Sequence, residues 1–289
     1  MRHLMWKSGL TLPLLLFVAC DIEQRIPAEM VTTNQSQPLG RERSLVADVR
    51  FDIGSLEISG EKSARVYSLD LEYDKAGYQP EIRYESPSNG GEGRIFFKLE
   101  STRKVGLRPD RHNNRLRLNL TDSLPVTLKV NMGVGDSRLS LSGMKISRLD
   151  LDCGVGGSRI SSYEPNSISC DSIRIKSGVG SLDAVGLGNL NFRELEFEGG
   201  VGGANLDFSG TWKQDAEIKV QVGVGGVSVK MPRELGVRVE AEKHFMSGLH
   251  LDGFNKRESF YYSDNYDRAK VRISVRVATG VGGFRISWI

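Results

Sequence analysis

The sequence predicts an all-β fold, a single-stack parallel β-solenoid with coils of about 22 residues, N-terminal capping strands and a C-terminal aromatic insertion. Three observations predict it. A Gly-Val-Gly tripeptide begins at Gly133, Gly154, Gly178, Gly200, Gly223 and Gly280, and its first four intervals are 21, 24, 22 and 23 residues. Apolar residues stand five and three positions before every one of these glycines, as in Leu128/Val130, Leu149/Leu151, Ile173/Ile175, Leu195/Phe197, Ile218/Val220 and Val275/Val277. That period of two identifies strands with one buried face. Between those columns runs a charged one, Lys129, Asp150, Arg174, Glu196, Lys219 and Arg276, whose sign alternates over the first five members. Parallel strands stacked in register about 4.8 Å apart set such charges side by side, and opposite signs then attract.

The chain has 289 residues, enough to bury a large core. Glycine is abundant, 33 residues against 9 prolines, which suits short strands joined at tight corners. A formal charge of +3 with interleaved signs excludes a basic nucleic-acid face.

Residues 1–19 read as an export signal, with Arg2 and Lys7 followed by an apolar run from Leu10 to Ala19 that is too short to span a bilayer. The run ends Phe17-Val18-Ala19-Cys20, which resembles the bacterial lipoprotein box, although Phe17 stands where leucine is usual. Cys20 is therefore the expected lipidation site, with the membrane as first partner. Residues 20–43, rich in Gln, Asn, Ser, Thr and Pro, are expected to form a flexible tether. The solenoid is placed at 44–289, with the stack beginning at Ala47–Gly54. Alternating strands in 62–125 form an N-terminal cap, and regular coils fill 126–231. Residues 232–289 hold a degenerate coil (Val237, Val239, Ala241), an aromatic insertion and a final coil.

The corner glycines are Gly133, Gly135, Gly154, Gly156, Gly178, Gly180, Gly200, Gly202, Gly223, Gly225, Gly280 and Gly282. Their task is structural, since glycine reaches positive φ without steric cost. The valine between each pair is expected to point into the core. Strings such as Gly200-Val201-Gly202-Gly203 fail as phosphate loops, because a strand follows and not a helix N-terminus.

The segments VRFDIGSLEISG, LPVTLKVNMGVGDSRLSLSGM, VGLGNLNFRELEFEGGVGGANLDFSGTW, VQVGVGGVSVKMP and VRISVRVATGVGGF resemble the bacterial toast-rack family over residues 44–288. Members are described as adhesin-like or cell-wall stress-response lipoprotein domains. The resemblance implies a solenoid fold and an envelope location, and it supplies no catalytic residues.

No cofactor or metal is expected. Cys153 belongs to an inward column and stacks over Ser177, seven residues from Cys170. Seven strand residues span about 23 Å, against the ~7 Å limit for bridged Cα atoms, so two free buried thiols are expected. Of the histidines, His3, His112, His244 and His250, the last two lie six apart and read as a solvated loop. Asp150, Asp152, Glu196 and Glu198 lie on the outer face, where Arg174 and Lys176 interleave and neutralise them.

The expected function is thus that of a non-enzymatic, lipid-anchored envelope protein presenting a rigid solenoid to a protein, glycan or surface, related to envelope stress or adhesion. The alternative is a carbohydrate-active solenoid. Phe254, Phe260, Tyr261, Tyr262 and Tyr266 form the candidate interaction surface, or else close the open end of the stack.

Overall fold

Each corner tripeptide sits in the middle of one long strand that bends and continues. The computed structural model describes residues 28–87, 90–102, 114–241 and 248–289. Seven bent strands carry the stack: β2 (Ser44–Glu61), β7 (Pro125–Ser140), β8 (Lys145–Ser161), β9 (Cys170–Val185), β10 (Phe192–Asp207), β11 (Ala216–Met231) and β16 (Arg272–Trp288). They pair in parallel in the spatial order β2-β7-β8-β9-β10-β11-β16. The register aligns the sequence columns as expected: Asp48↔Lys129, Lys129↔Asp150, Asp150↔Arg174, Arg174↔Glu196, Glu196↔Lys219 and Lys219↔Arg276.

The inward columns form one apolar core. Leu128, Leu149, Ile173, Leu195, Ile218 and Val275 are each at most 2% exposed. After the corner the face is carried by residues such as Leu139, Ile160, Leu206, Val229 and Ile286. Neither arm of a coil can bury its apolar face alone; stacking neighbours on both sides does so, as in other solenoids.

Two independent constraints demand glycine at the bend. The second glycine of each corner has φ between +130° and +151° at Gly135, Gly156, Gly180, Gly202, Gly225 and Gly282. A Cβ on Gly202 would also lie 1.7 Å from the carbonyl oxygen of Gly180 in the coil below. The first glycine is also hemmed in, with a Cβ on Gly178 falling 2.4 Å from the Gly154 oxygen.

The valines face outward, contrary to the expectation from strict alternation. Val155, Val179, Val201 and Val224 are 49–51% exposed and Val281 is 63% exposed. The inside of the bend is already occupied where the arms converge: Ser158 Oγ donates to Cys153 Sγ at 3.1 Å and Ser137 Oγ donates to Ser158 Oγ at 2.9 Å. The residue between the two inward positions therefore has only the convex side left.

Both ends are closed by shorter strands. At the N-terminal end β5 (Glu92–Ser101) pairs with the first arm of β2, and β6 (Arg115–Thr121) with the second. β4 (Tyr78–Glu85) and β3 (Arg65–Asp74) then add antiparallel to β5 and β6. β1 (Met30–Pro38) lies antiparallel on β3. Residues 30–38 thus correct the expected tether: Val31, Thr33 and Gln37 turn half-buried toward the sheet, and the backbone is held by the ladder.

At the C-terminal end the degenerate coil is split in the same way. β12 (Gly236–Ala241) pairs with the first arm of β16 and β13 (Gly248–Leu251) with its second. β15 (Phe260–Ser263) and β14 (Phe254–Arg257) add antiparallel beyond β12. The last strand of the chain therefore inserts between β11 and β12, and the degenerate coil, earlier in sequence, lies outside it in space.

Candidate functional site

The outer face of the first arms carries rows of charge. Arg174 and Lys219 flank Glu196 at 3.2 and 2.9 Å, Lys176 meets Glu198 at 2.9 Å, and Arg276 meets Glu240 at 3.2 Å. The Lys219 hydrogen bond holds the Glu196 carboxyl below the usual carboxylate range, against the opposing effect of its partial burial; the charges of Lys219, Arg174 and Lys176 add to the lowering. A carboxylate depressed in the folded state contributes stability above its unfolded pKa and loses it as pH falls through the folded value. Lys219→Met is therefore expected to cost no more than about 1 kcal/mol at neutral pH, and to flatten the loss of stability on the acid side in urea titrations.

Where β10, β11, β16 and β12 lie side by side, this face dips into an open groove of about 250 Å³, lined by Glu194, Glu196, Glu217, Lys219, Arg238 and Arg276. Glu194 and Glu217 are register partners on adjacent strands. Among the described residues neither takes part in an ion pair. Arg238 is engaged elsewhere, donating to Ser274 Oγ at 3.1 Å and lying 5.0 Å from the Phe260 ring centroid.

The aromatic segment gathers on the C-terminal end of the stack. Phe254 stacks on Trp288 with centroids 5.2 Å apart, and Tyr262 meets Tyr266 edge-on at 4.9 Å and Phe260 at 6.2 Å. A cation covers four of the five rings: Arg238 over Phe260, Lys256 over Tyr261, Arg257 over Tyr262 and Arg272 over Tyr266, at 5.0–5.7 Å. All five rings are half-buried. They form a mixed aromatic and cationic face whose members already satisfy one another.

Cys153 and Cys170 are free and buried. Burial pushes the Cys153 thiol up and the Cys170 thiol up to about 12. Neither forms a reactive thiolate. Native protein at pH 8 is expected to leave both unalkylated by iodoacetamide, and denatured protein to label both, as mass spectrometry of peptides would read. Cys20, His3, His112 and His244 lie outside the described residues, and His250 sits in β13. Among the described residues no three His, Cys, Asp or Glu side chains group as metal ligands, and no helix is long and apolar enough to cross a membrane.

The groove and the valine row are the two features that sequence reasoning missed. Glu194 and Glu217 stand six residues before Gly200 and Gly223, so the column was present in the repeat alignment without a sign that it lined a groove.

A family model described as the N-terminal domain of toast_rack, DUF2154, matches residues 26–184 and 166–230. No curated protein matches the chain. A solved candidate cell adhesion protein from Clostridium sporogenes is 19% identical, covering 90% of this chain and 100% of its own, with a TM-score of 0.51. A candidate adhesin from Bacteroides fragilis is 14% identical over 90% of this chain and 97% of its own, TM-score 0.41. A candidate lipid binding protein from Parabacteroides distasonis is 12% identical over 89% and 97%, TM-score 0.40. At such identity the first likeness is one of fold.

Proposed function

Since the chain belongs to the toast_rack family, we propose that it is a non-enzymatic envelope protein, lipid-anchored through Cys20, which presents a rigid solenoid for interaction with a protein or surface. The observation that carries this reading is the outer face, where Glu196, Glu198 and Glu240 are each held by a cation. Asp150 and Asp152, expected to be neutralised by Arg174 and Lys176, are their register neighbours but form no ion pair among the described residues. Acids held in ion pairs are poorly placed to act as general acid and base, and a stack whose coils cover one another suits display. The cell-adhesion description of the Clostridium sporogenes protein agrees with a surface role.

Because β1 begins at Met30, ten residues after Cys20, the anchor and the sheet are no more than about 36 Å apart along an extended chain. The N-terminal cap then stands near the membrane, and the aromatic face at the far end is the part held out to a partner. Fractionation of envelopes tests the anchor: the wild-type chain should partition with detergent-soluble membrane and Cys20→Ala should be released. Membrane retention of Cys20→Ala would remove the lipid from the account.

One observation favours the carbohydrate-active alternative. Glu194 and Glu217 offer two register-paired carboxylates that make no ion pair among the described residues, in a 250 Å³ groove also lined by Lys219, Arg238 and Arg276. Depolymerisation of an envelope polysaccharide by the purified chain, abolished in Glu194→Gln or Glu217→Gln, would establish it. Equal absence of turnover in all three proteins favours the display role.

A further inference from the structure

The recurring valines form an exposed feature along the bends of the stack. Ile53, Val134, Val155, Val179, Val201, Val224 and Val281 pair one to the next through seven strands. They make a row at a spacing of about 4.8 Å whose exposed part, Val155, Val179, Val201, Val224 and Val281, is about 20 Å long. Val134 is half-buried, and Ile53 is half-buried against the core. The row stands on bare backbone, because the residues on either side of each valine are glycines in six of the seven strands. The strip is roughly 12 Å wide, so an apolar area of a few hundred Å² lies open, the size of the largest apolar patch on a typical monomer, which is often functional. Strand propensity does not account for it. Threonine is equally β-branched and would make the row wettable, yet all six Gly-X-Gly corners carry valine.

The charges beside the row are matched across it. Three residues before and four residues after the row member stand Arg50 and Glu57 in β2, Asp152 and Arg159 in β8, and Lys176 and Asp183 in β9. In each of the other four strands at least one of the two positions is uncharged, and none carries the same sign on both sides. Within one molecule these partners sit on different arms of a convex corner. The arrangement makes sense for a second copy. A two-fold axis parallel to the row puts the first arm of every coil on the same side as the second arm of that coil in the partner. Asp152 then lies on the side of Arg159, Lys176 on that of Asp183 and Arg50 on that of Glu57, with no like-charged pair brought together. A small sideways offset lets each valine row lie over the other's glycines.

We infer that the valine row is a homodimer contact in which two parallel stacks meet corner to corner. A row of this size buries about 500 Å² in total, below the ~1,000 Å² of a stable interface. The pair is therefore weak in dilute solution and is favoured when copies are confined together. Both stacks point the same way, which suits two chains held in one membrane; only that placement, and not the contact itself, rests on the proposed anchor. Of these matched charges only Asp152 makes no ion pair among the described residues. Arg50 pairs with Asp48, Glu57 with Arg117, Arg159 with Asp183 and Lys176 with Glu198, in solvent-accessible pairs weak enough to be shared.

Single cysteines in the full chain test the contact. Val155→Cys, Val179→Cys and Val224→Cys should each form same-residue disulfide dimers on mild oxidation. All three yields should exceed several-fold that of Tyr163→Cys, which is 72% exposed in the turn after β8. Cross-linking at Val179 alone would mean antiparallel pairing, and equal cross-linking at Tyr163 would mean random collision; either overturns the inference. Asp152→Arg should lower the yield at Val179 several-fold, and adding Arg159→Asp should restore it. Failure of the double exchange to restore it also overturns the parallel arrangement. The series is run in membranes and, at high concentration, in the Cys20→Ala background. Dimers that persist in Cys20→Ala separate the row contact from the anchor, and loss of dimers in both settings sinks the contact whatever the anchor does.

Discussion

A chain ending at Lys270 is expected to lose cooperative folding of its C-terminal end, because β16 is the strand that joins the last regular coil to the cap. It supplies Ile273, Val275, Val277, Phe284 and Ile286 to the core, each at most 2% exposed. Burying one large apolar side chain contributes about 1.5–3 kcal/mol, so these five together weigh on the order of the whole net stability of a domain. Without β16 the ladder edge of β11 opens, and β12 and β13 lose the strand they pair with. Trypsin should then cut within residues 232–270 while the coils from β7 to β10 stay protected. The broad far-ultraviolet signal should fall, and the thermal transition should lose its steepness. Phe284→Ala, a milder form of the same loss, should cost about 3–5 kcal/mol with the stack retained.

Gly202→Ala should be nearly as damaging although it adds one methyl group. The position holds φ +140°, where a side chain is strained, and the new Cβ would stand 1.7 Å from the Gly180 oxygen. Relief requires either the corner or the coil spacing to give, and neighbouring corners on both sides resist the movement. The strain alone is of order 1–3 kcal/mol and the overpacking adds a comparable amount. Urea denaturation should show the midpoint falling well below that of Gly203→Ala, where a Cβ meets nothing nearer than 3.9 Å and φ is unexceptional.

The regular coils were legible because two signals overlap in them. The apolar columns mark the buried face, and the alternating charges at Lys129, Asp150, Arg174, Glu196 and Lys219 reveal the register directly. The outward valines were not, since counting alternation through the bend assumes ordinary strand geometry that φ near +140° does not keep. The insertion of β16 inside β12 depends on long-range pairing, and Val237/Val239 look locally like any other coil. β1 escaped notice because Thr, Asn, Gln and Ser suit a polar edge strand as well as a tether. Of the candidate surfaces, the aromatic group could be read from composition, whereas the cations that cover its rings come from β12, β14 and the start of β16. The groove carboxylates Glu194 and Glu217 gain meaning only once four strands are set side by side.

The order of strands at the C-terminal end carries both the valine row and the groove, and disulfide trapping tests it most directly. Gln221 and Ala278 are register partners on the outer face of β11 and β16, whereas Lys219 and Glu240 are separated by Arg276 on the strand between. Gln221→Cys/Ala278→Cys should close an intramolecular disulfide, and Lys219→Cys/Glu240→Cys should not. The reverse result, a bridge joining β11 to β12, would place the coils in sequence order and contradict this strand order.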